Sequence, residues 1–589
     1  MTMAIQARNS PRLSNLALFD AALRLGPHAL AHYALYRLGR LHGGPARALA
    51  DRPAVTGAFL PETCLRPAPE LAEGPRPGWP ARLRAALAAL PSAGPHGPFD
   101  GATPALALDL FGAGDIRPVW EANRLAWAPL LVQAARLWPE EGHLARLEQR
   151  LAAWQAANPA YRGPNWACGQ EAALRALHLA LALLLAGAEA DPSPAARGLL
   201  ALHAHRIRAT AAYARAQDNN HSISEPAGLL ACGWLLGEAE LARRGEAALA
   251  RAVARLVAPD GGFAQHSTGY HRLLLDTLSV LEVLRRRLGR PPLPAPVPAR
   301  AAAAAHWLAR LVAAGGALPA LGHQDGSAFA DLALGGAADA RGSVERAMRL
   351  FAGASAGFAA EPGCRWLDLP EGAPMPPVPR WTASGSMGWA EAGARGLLRT
   401  GPLHFRPGQS DLLHFELWHG DRPLLTDAGT GAYNPPPGQE WWLDHFPSAR
   451  AHNSILFDGQ EPMPRAGRFL YAHWPWLRPL PDGALSRDRR GRRHARRVAV
   501  MGREWRIIDE VGGRFRSLTL RWRLGPGAWR LMPEGVTGPA LLRVTADAPL
   551  HFVEEEGWES PAYGVVRPCR VLAVHAAAPV SRIVTRVTL

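Results

Sequence analysis

Gln217-Asp218-Asn219-Asn220-His221-Ser222-Ile223-Ser224-Glu225 is a polar island between two apolar runs of helical periodicity, and the fold reads outward from it. Apolar residues recur at helical spacing over 119–137, 143–157, 170–186, 195–216, 227–236, 238–257, 272–288 and 301–314. Breaks fall at Pro139, Asn158-Pro159, Asp191-Pro192, Pro259 to Gly262 and 291–298. Each helix is too apolar to stand alone, and short connections between antiparallel neighbours predict a bundle, solenoid or closed α/α toroid. Ser222 or Ser224 is placed to cap the helix that follows, with Glu225 in its first turn and Pro226 early within it. Two consecutive Asn and a His exceed what capping needs. Buried polar groups cost free energy unless paired, so the island also reads as the wall of a polar cleft.

Past Pro370 the texture changes. Short alternating runs at 412–418, 454–457, 497–501, 505–508, 517–524, 541–545, 551–553 and 571–574, punctuated by Asp458-Gly459, Pro481-Asp482-Gly483, Gly512-Gly513 and Pro526-Gly527, predict an antiparallel β-sandwich. The expected architecture is α+β and multidomain. Residues 1–110 form a helical lead-in, 111–370 an (α/α) toroid of antiparallel helices, and 380–589 the β-sandwich.

The 589 residues are 48% hydrophobic and 20% charged, which excludes a disordered chain. The net charge is +15 and every Lys+Arg position is Arg, giving a surface that attracts polyanions. The Arg-rich stretch 487–497 lacks interleaved aromatics, so nucleic-acid stacking is not expected and the run reads as a basic hairpin. Trp441, Trp442, Trp474 and Trp476 serve either sugar stacking or core packing. The five cysteines, Cys64, Cys168, Cys232, Cys364 and Cys569, have no close spacing and read as free thiols. Residues 13–38 are amphipathic but interrupted by Asp20, Arg24, Pro27 and His28, so neither a signal peptide nor a membrane span is expected. The default location is cytoplasmic, with the periplasm as the alternative.

Two further segments carry chemistry. One is Asp260-Gly-Gly-Phe-Ala-Gln265-His266-Ser267-Thr-Gly-Tyr270-His271, a glycine turn entering a helix. The other joins Pro407-Gly-Gln409-Ser-Asp411-Leu-Leu-His414 to Asp427-Ala-Gly-Thr-Gly-Ala-Tyr433 and Arg450-Ala-His452-Asn453-Ser454. Asp and His on neighbouring strands either bind a hard or borderline cation or brace the sandwich as a hydrogen-bonded pair.

Together with Trp120-Glu-Ala-Asn-Arg124, Asn165-Trp-Ala-Cys-Gly-Gln-Glu171 and Leu425-Thr-Asp-Ala-Gly-Thr430, these segments resemble the heparinase II/III family of polysaccharide lyases. The resemblance implies a carbon–oxygen lyase that cleaves an acidic, uronate-containing polysaccharide by β-elimination in a cleft between toroid and sandwich. Asn220 and His221 would then neutralise the uronate carboxylate, and Tyr270 would be the base and the acid. Asn219, Glu225, His271, Tyr433 and Arg450 are expected to bind substrate. The family's metal-type positions fall on Gln409, Asp427 and His452, implying one structural divalent ion, calcium or zinc. One departure stands out. Where the family shows H-x-H-x-D or H-x-Q-x-D, Pro407 replaces the first His and has no proton to move. His414, or else His404, is expected to take that role. The alternatives are a glycoside hydrolase on the same scaffold, with Glu225 and Asp218 available as carboxylates, or a non-catalytic glycan-binding protein of polysaccharide assembly.

Overall fold

The computed structural model describes residues 15–61, 65–71, 78–92, 94–112, 114–358 and 361–589. Helices dominate as far as Pro362–Trp366, and antiparallel sheets follow from Arg380–Ala383 onward. Cys64 lies outside the described residues. The other four cysteines are free, and burial pushes the Cys168, Cys232 and Cys364 thiols up to about 12.

Gly169–Ala186 is the axis of the helical domain. Every residue in it is buried, because Leu and Ala on all sides meet Trp127–Leu137, Pro194–Ala209, His221–Leu236 and Thr268–Arg287. At about 1.5–3 kcal/mol for each fully buried large aliphatic side chain, this packing fixes the helical domain. The helix has the length and composition of a membrane span but is wholly enclosed by protein, and no other described helix meets that test.

Two helices depart from the periodicity. The run 195–216 breaks at Thr210, whose hydroxyl accepts from Arg206, giving Pro194–Ala209 and Ala211–Gln217. The next helix begins at His221, earlier than Pro226 suggests. Ser222 and Ser224 therefore lie inside it and donate to the carbonyls of Ala214 and Asn220 instead of capping it. Asn219 supplies the cap, its Oδ1 accepting the His221 N–H at 3.0 Å.

The β region holds three larger antiparallel sheets. Five strands run in sequence order from Arg380–Ala383 to Arg422–Leu425. Four are ordered His551–Ala562, Val565–Ala577, Ser517–Arg523 and Ile455–Phe457. Eight span Trp476–Leu480 to Arg530–Met532, with Arg582–Thr588 inserted centrally beside Glu504–Gly512. Leu398, Phe415, Trp505, Trp522 and Ile583 from all three sheets share one apolar core. Leu397, on the opposite pleat of its strand, packs into the helical core, so the five-stranded sheet joins the two domains.

The Arg-rich stretch is a hairpin between Gly483–Arg487 and Arg493–Met501, and several of its charges are spent internally. Arg492 pairs with Asp488 at 2.6 Å, and the fully buried Arg496 pairs with Asp509 at 2.7 Å. Of the tryptophans singled out, Trp442 is buried and Trp441 and Trp476 are exposed.

Candidate active site at the domain seam

Tyr270 stands in the first turn of Thr268–Arg287, whose N-cap Ser267 accepts the Tyr270 N–H through its Oγ. The phenol projects to the seam and meets Tyr433 of the β region, with the two hydroxyl oxygens 2.8 Å apart. It also donates to Asp325 Oδ2 at 3.2 Å. A carboxylate only accepts, so the resting chain runs from the Tyr433 hydroxyl through the Tyr270 hydroxyl to Asp325. Burial, then Asp325, pushes the Tyr270 phenol well above its usual range, against the opposing pull of Arg117. Burial, then Tyr270 and Asp325, does the same to Tyr433. Both phenols are neutral at ordinary pH.

Asp325 belongs to a buried ion network. Arg117 Nε lies 3.2 Å from Asp325 Oδ2, Arg117 also faces Glu171 at 3.6 Å, and Arg124 pairs with Glu171 at 2.7 Å. Burial alone would raise the Asp325 carboxyl, but Arg117 and Arg124 hold it below the usual carboxylate value. The loop that carries Asp325 is clamped on both sides. Gln324 N–H donates to Thr430 Oγ1 of the β region, and its amide donates to Thr268 Oγ1. Gly322 has a φ of 67°, and a Cβ there would lie 2.2 Å from the His266 carbonyl oxygen, so this approach requires glycine.

The first island meets the second through a side chain. The N–H of Asn220 donates to Gln265 Oε1 at 3.0 Å, and its Nδ2 donates to Gln170 Oε1 at 2.9 Å. His221 Nδ1 donates to Glu225 Oε1 at 3.0 Å, leaving the ring edge away from the buried Glu225 as the partly exposed one. Asp218 turns away to Arg255 at 2.7 Å and His28 at 3.6 Å. With Asp218 and Glu225 both committed, the two carboxylates a hydrolase needs are not opposed across this cleft.

Several expected site residues lie elsewhere. His271 is buried on the far side of its helix, stacked on Trp307 at 4.5 Å and bonded to the Ala304 carbonyl, so it packs the core and does not bind substrate. Arg450 is exposed beside the Gly459 turn and makes no described contact with the seam. His414 is fully buried inside the β region and has no described contact with Tyr270. Its Nδ1 accepts the Asn453 N–H at 2.8 Å, which leaves the ring proton on Nε2, 3.4 Å from Asp427 Oδ2 and 3.5 Å from Glu416. It braces strands and does not replace the missing catalytic histidine. His404 is half-buried and stacked on His266 at 5.7 Å.

A histidine that packs on Tyr433 at the seam is His323, which the sequence reading did not single out. Its ring packs edge-on against Tyr433 and Phe469. It also sits where a Cβ on Gly408 would come within 2.7 Å of Nδ1, so the residue after Pro407 makes room for it. Burial, then Arg465, pushes its pKa down to about 3. Asp325 and His323 were missed because Gly322-His-Gln-Asp-Gly326 reads as an ordinary polar loop. An acid and an imidazole between two glycines were its only signal.

Beneath the seam, His452 Nδ1 donates to Asp427 Oδ2 at 2.8 Å, and His414, Asp427 and His452 cluster within 4.8 Å. Burial opposes a charge on His452, but Asp427 outweighs it and raises the imidazole. His452 Nε2 and Gln409 Oε1 are buried and lack hydrogen-bond partners. The donor set Gln409, Asp427 and His452 thus fits a divalent cation. His414 does not join it as a ligand, because its Nε2 carries a proton.

A helical domain followed by antiparallel sheets is a fold this chain shares with solved structures. The heparinase III crystal structure superposes with a TM-score of 0.63 at 15% identity, covering 96% of this chain and 92% of that one. A heparinase III gene product gives 0.58 at 16%, covering 96% and 91%. The heparan sulfate lyase from Pedobacter heparinus gives 0.51 at 17%, covering 98% and 91%. No curated protein matches the sequence. Residues 376–570 match the family described as heparinase II/III-like, C-terminal.

Proposed function

We propose that this protein is a polysaccharide lyase that cleaves a uronate-containing acidic glycan by β-elimination. The observation that carries the reading is the 2.8 Å contact between Tyr270 and Tyr433, one phenol from each domain. The solved structures sharing the fold are named as heparinases and a heparan sulfate lyase, which supports the class of substrate.

A uronate C5 proton is weakly acidic while the neighbouring carboxylate is charged. His221, oriented by Glu225, and Asn220 hold that carboxylate and the enolate-like charge that develops on it. Both phenols are held neutral, so neither acts as a standing phenolate. Tyr270 takes the C5 proton as its own hydroxyl proton crosses to Tyr433, and the Tyr433 proton goes to the leaving oxygen. The C5–H and C4–O bonds break, a C4–C5 double bond forms, and both phenols end neutral. Asp325 orients Tyr270 in the resting site, and Arg117 keeps Asp325 charged.

Gln409, Asp427 and His452 would hold a structural calcium or zinc ion, whose chemistry is to tie the strands beneath the Tyr433 loop together. Elemental analysis of purified protein should find one such ion per chain, lost in Gln409→Ala and His452→Ala. The functional reading is tested by incubation with a panel of uronate polymers, following the absorbance of the 4,5-unsaturated product. The wild type should produce it, and Tyr270→Phe should lose at least about 10²-fold in rate, the lower range for general acid–base help. New reducing ends without unsaturation would replace the lyase with a hydrolase.

A further inference from the structure

The helix Asn15–Leu41 lies across both domains. Ala17 and Ala21 pack on Ala466 and Ala472 of the β region, Asp20 accepts the His473 N–H at 2.6 Å, and Tyr36 packs against Tyr213 of the helical domain. This inner face is made of small or aromatic residues that sit close to the body. The outer face is the reverse. Leu16, Phe19, Leu23, Leu30, Leu35, Leu38 and Leu41 are all exposed, the two ends at 75% and 76%. A single exposed leucine means nothing, but this segment bends at Gly26-Pro27 and carries exposed apolar residues on both arms, Leu16, Phe19 and Leu23 before the bend and Leu30, Leu35, Leu38 and Leu41 after it.

The charges beside the stripe decide the kind of partner. Asp20 is the only acidic residue in this helix, and it is neutralised by Arg24 at 2.6 Å. Arg37, Arg40 and Arg47 are exposed on the helix and on the short turn after it, and none has an ion-pair partner among the described residues. Arg215, which faces His32, and Arg251 beyond it extend the positive field along neighbouring helices. Asp218 and Asp51, the carboxylates close by, are already paired with Arg255 and Arg162. Among the described residues, Arg37, Arg40 and Arg47 thus remain as unpaired cations beside the stripe. A second copy of the chain would bring the same cations against these. A surface of anionic headgroups over acyl chains complements both features at once.

We propose that Asn15–Leu41 is an interfacial helix that docks this protein on an anionic lipid surface, with Leu16, Phe19, Leu23, Leu30, Leu35, Leu38 and Leu41 in the acyl boundary and Arg37, Arg40 and Arg47 among the headgroups. Its leucine side chains enter no deeper than the boundary.

The test is vesicle flotation of the full chain at low and high salt. One set of vesicles is phosphatidylcholine alone, and the other is equal parts phosphatidylcholine and phosphatidylglycerol. The wild type should float with the anionic vesicles only, and less so at high salt. Reversing three arginines in Arg37→Glu/Arg40→Glu/Arg47→Glu should weaken binding roughly a hundredfold, since each Arg near an anionic surface contributes about fivefold. Phe19→Glu/Leu23→Glu should abolish binding with an unchanged circular dichroism spectrum. The proposal is overturned if the wild type stays unbound with anionic vesicles, or if the triple reversal leaves binding unchanged. It also fails if light scattering shows a dimer that Phe19→Glu/Leu23→Glu dissociates, which would make the stripe an interface between copies. None of these substitutions touches the tyrosine pair, so the outcome is independent of the lyase reading.

Discussion

Two polar clusters, one inside the β region and one at its seam with the helices, differ in construction. The cluster of His414, Asp427 and His452 is built within the β region, and its three members are fully or almost fully buried. The cluster of Tyr270, Tyr433, Asp325 and Arg117 is built across the seam and includes the half-buried Tyr433. The first exchanges hydrogen bonds with its own strands, and Asn453 ties it in, bonding Phe415, Thr426 and Arg523. The second places two phenols, one from each domain, against each other. Imidazoles and carboxylates occur in both, so residue type alone does not separate bracing from chemistry. Position relative to the seam does.

The comparison breaks first at Asp427. Removing it in Asp427→Ala leaves His452 buried without its partner and should destabilise the fold by about 3–5 kcal/mol in urea unfolding. Tolerance of that change would show the inner cluster is not a brace. Next comes Asp325→Asn, which keeps the shape but loses the charge-assisted contact to Tyr270. It should lower kcat about tenfold, the equivalent of one such hydrogen bond, with little change in KM or melting temperature.

Acid should act on the packing histidines. Burial pushes His271 down to about 4 and His203 to about 3, from an ordinary 6.5. The unfolded chain therefore binds more protons between those limits, and stability falls as pH drops from about 6.5 toward 4. The slope is about 1.4 kcal/mol per pH unit for each such imidazole. In His271→Gln, urea unfolding across that range should show a shallower slope by one proton. A slope unchanged from the wild type would mean that His271 is not a buried neutral group. The smallest effect is expected at Arg450→Ala, where exposure and distance from the seam predict unchanged activity and a stability change within about 0.5 kcal/mol.

The helical half was legible because its signal is redundant. Residues 170–186 announce a buried helix at every position, and an Asn-Asn-His island among such helices has few other reasons to exist. Tyr433 was named only through the resemblance, and the structure places its hydroxyl 2.8 Å from that of Tyr270. His414 was misread because Pro407 made a replacement necessary and sequence proximity made His414 the nearest candidate. The histidine that packs edge-on against Tyr433 and fills the space above Gly408 is His323, from another loop. A contact between loops that far apart leaves no mark in spacing or periodicity. His271 was misread because its neighbour Tyr270 faces the seam, and adjacent helical residues point about 100° apart.

The central claim is that Tyr270 and Tyr433 act as one proton-passing unit. The direct measurement is the rate of unsaturated-product formation by Tyr270→Phe, Tyr433→Phe and the double variant on a uronate polymer that the wild type cleaves. Residues that act as a unit are strongly non-additive, so the two single variants should each fall at least about 10²-fold and the double variant should be no worse than either. Multiplying losses, or a Tyr433→Phe variant as fast as the wild type, would contradict it.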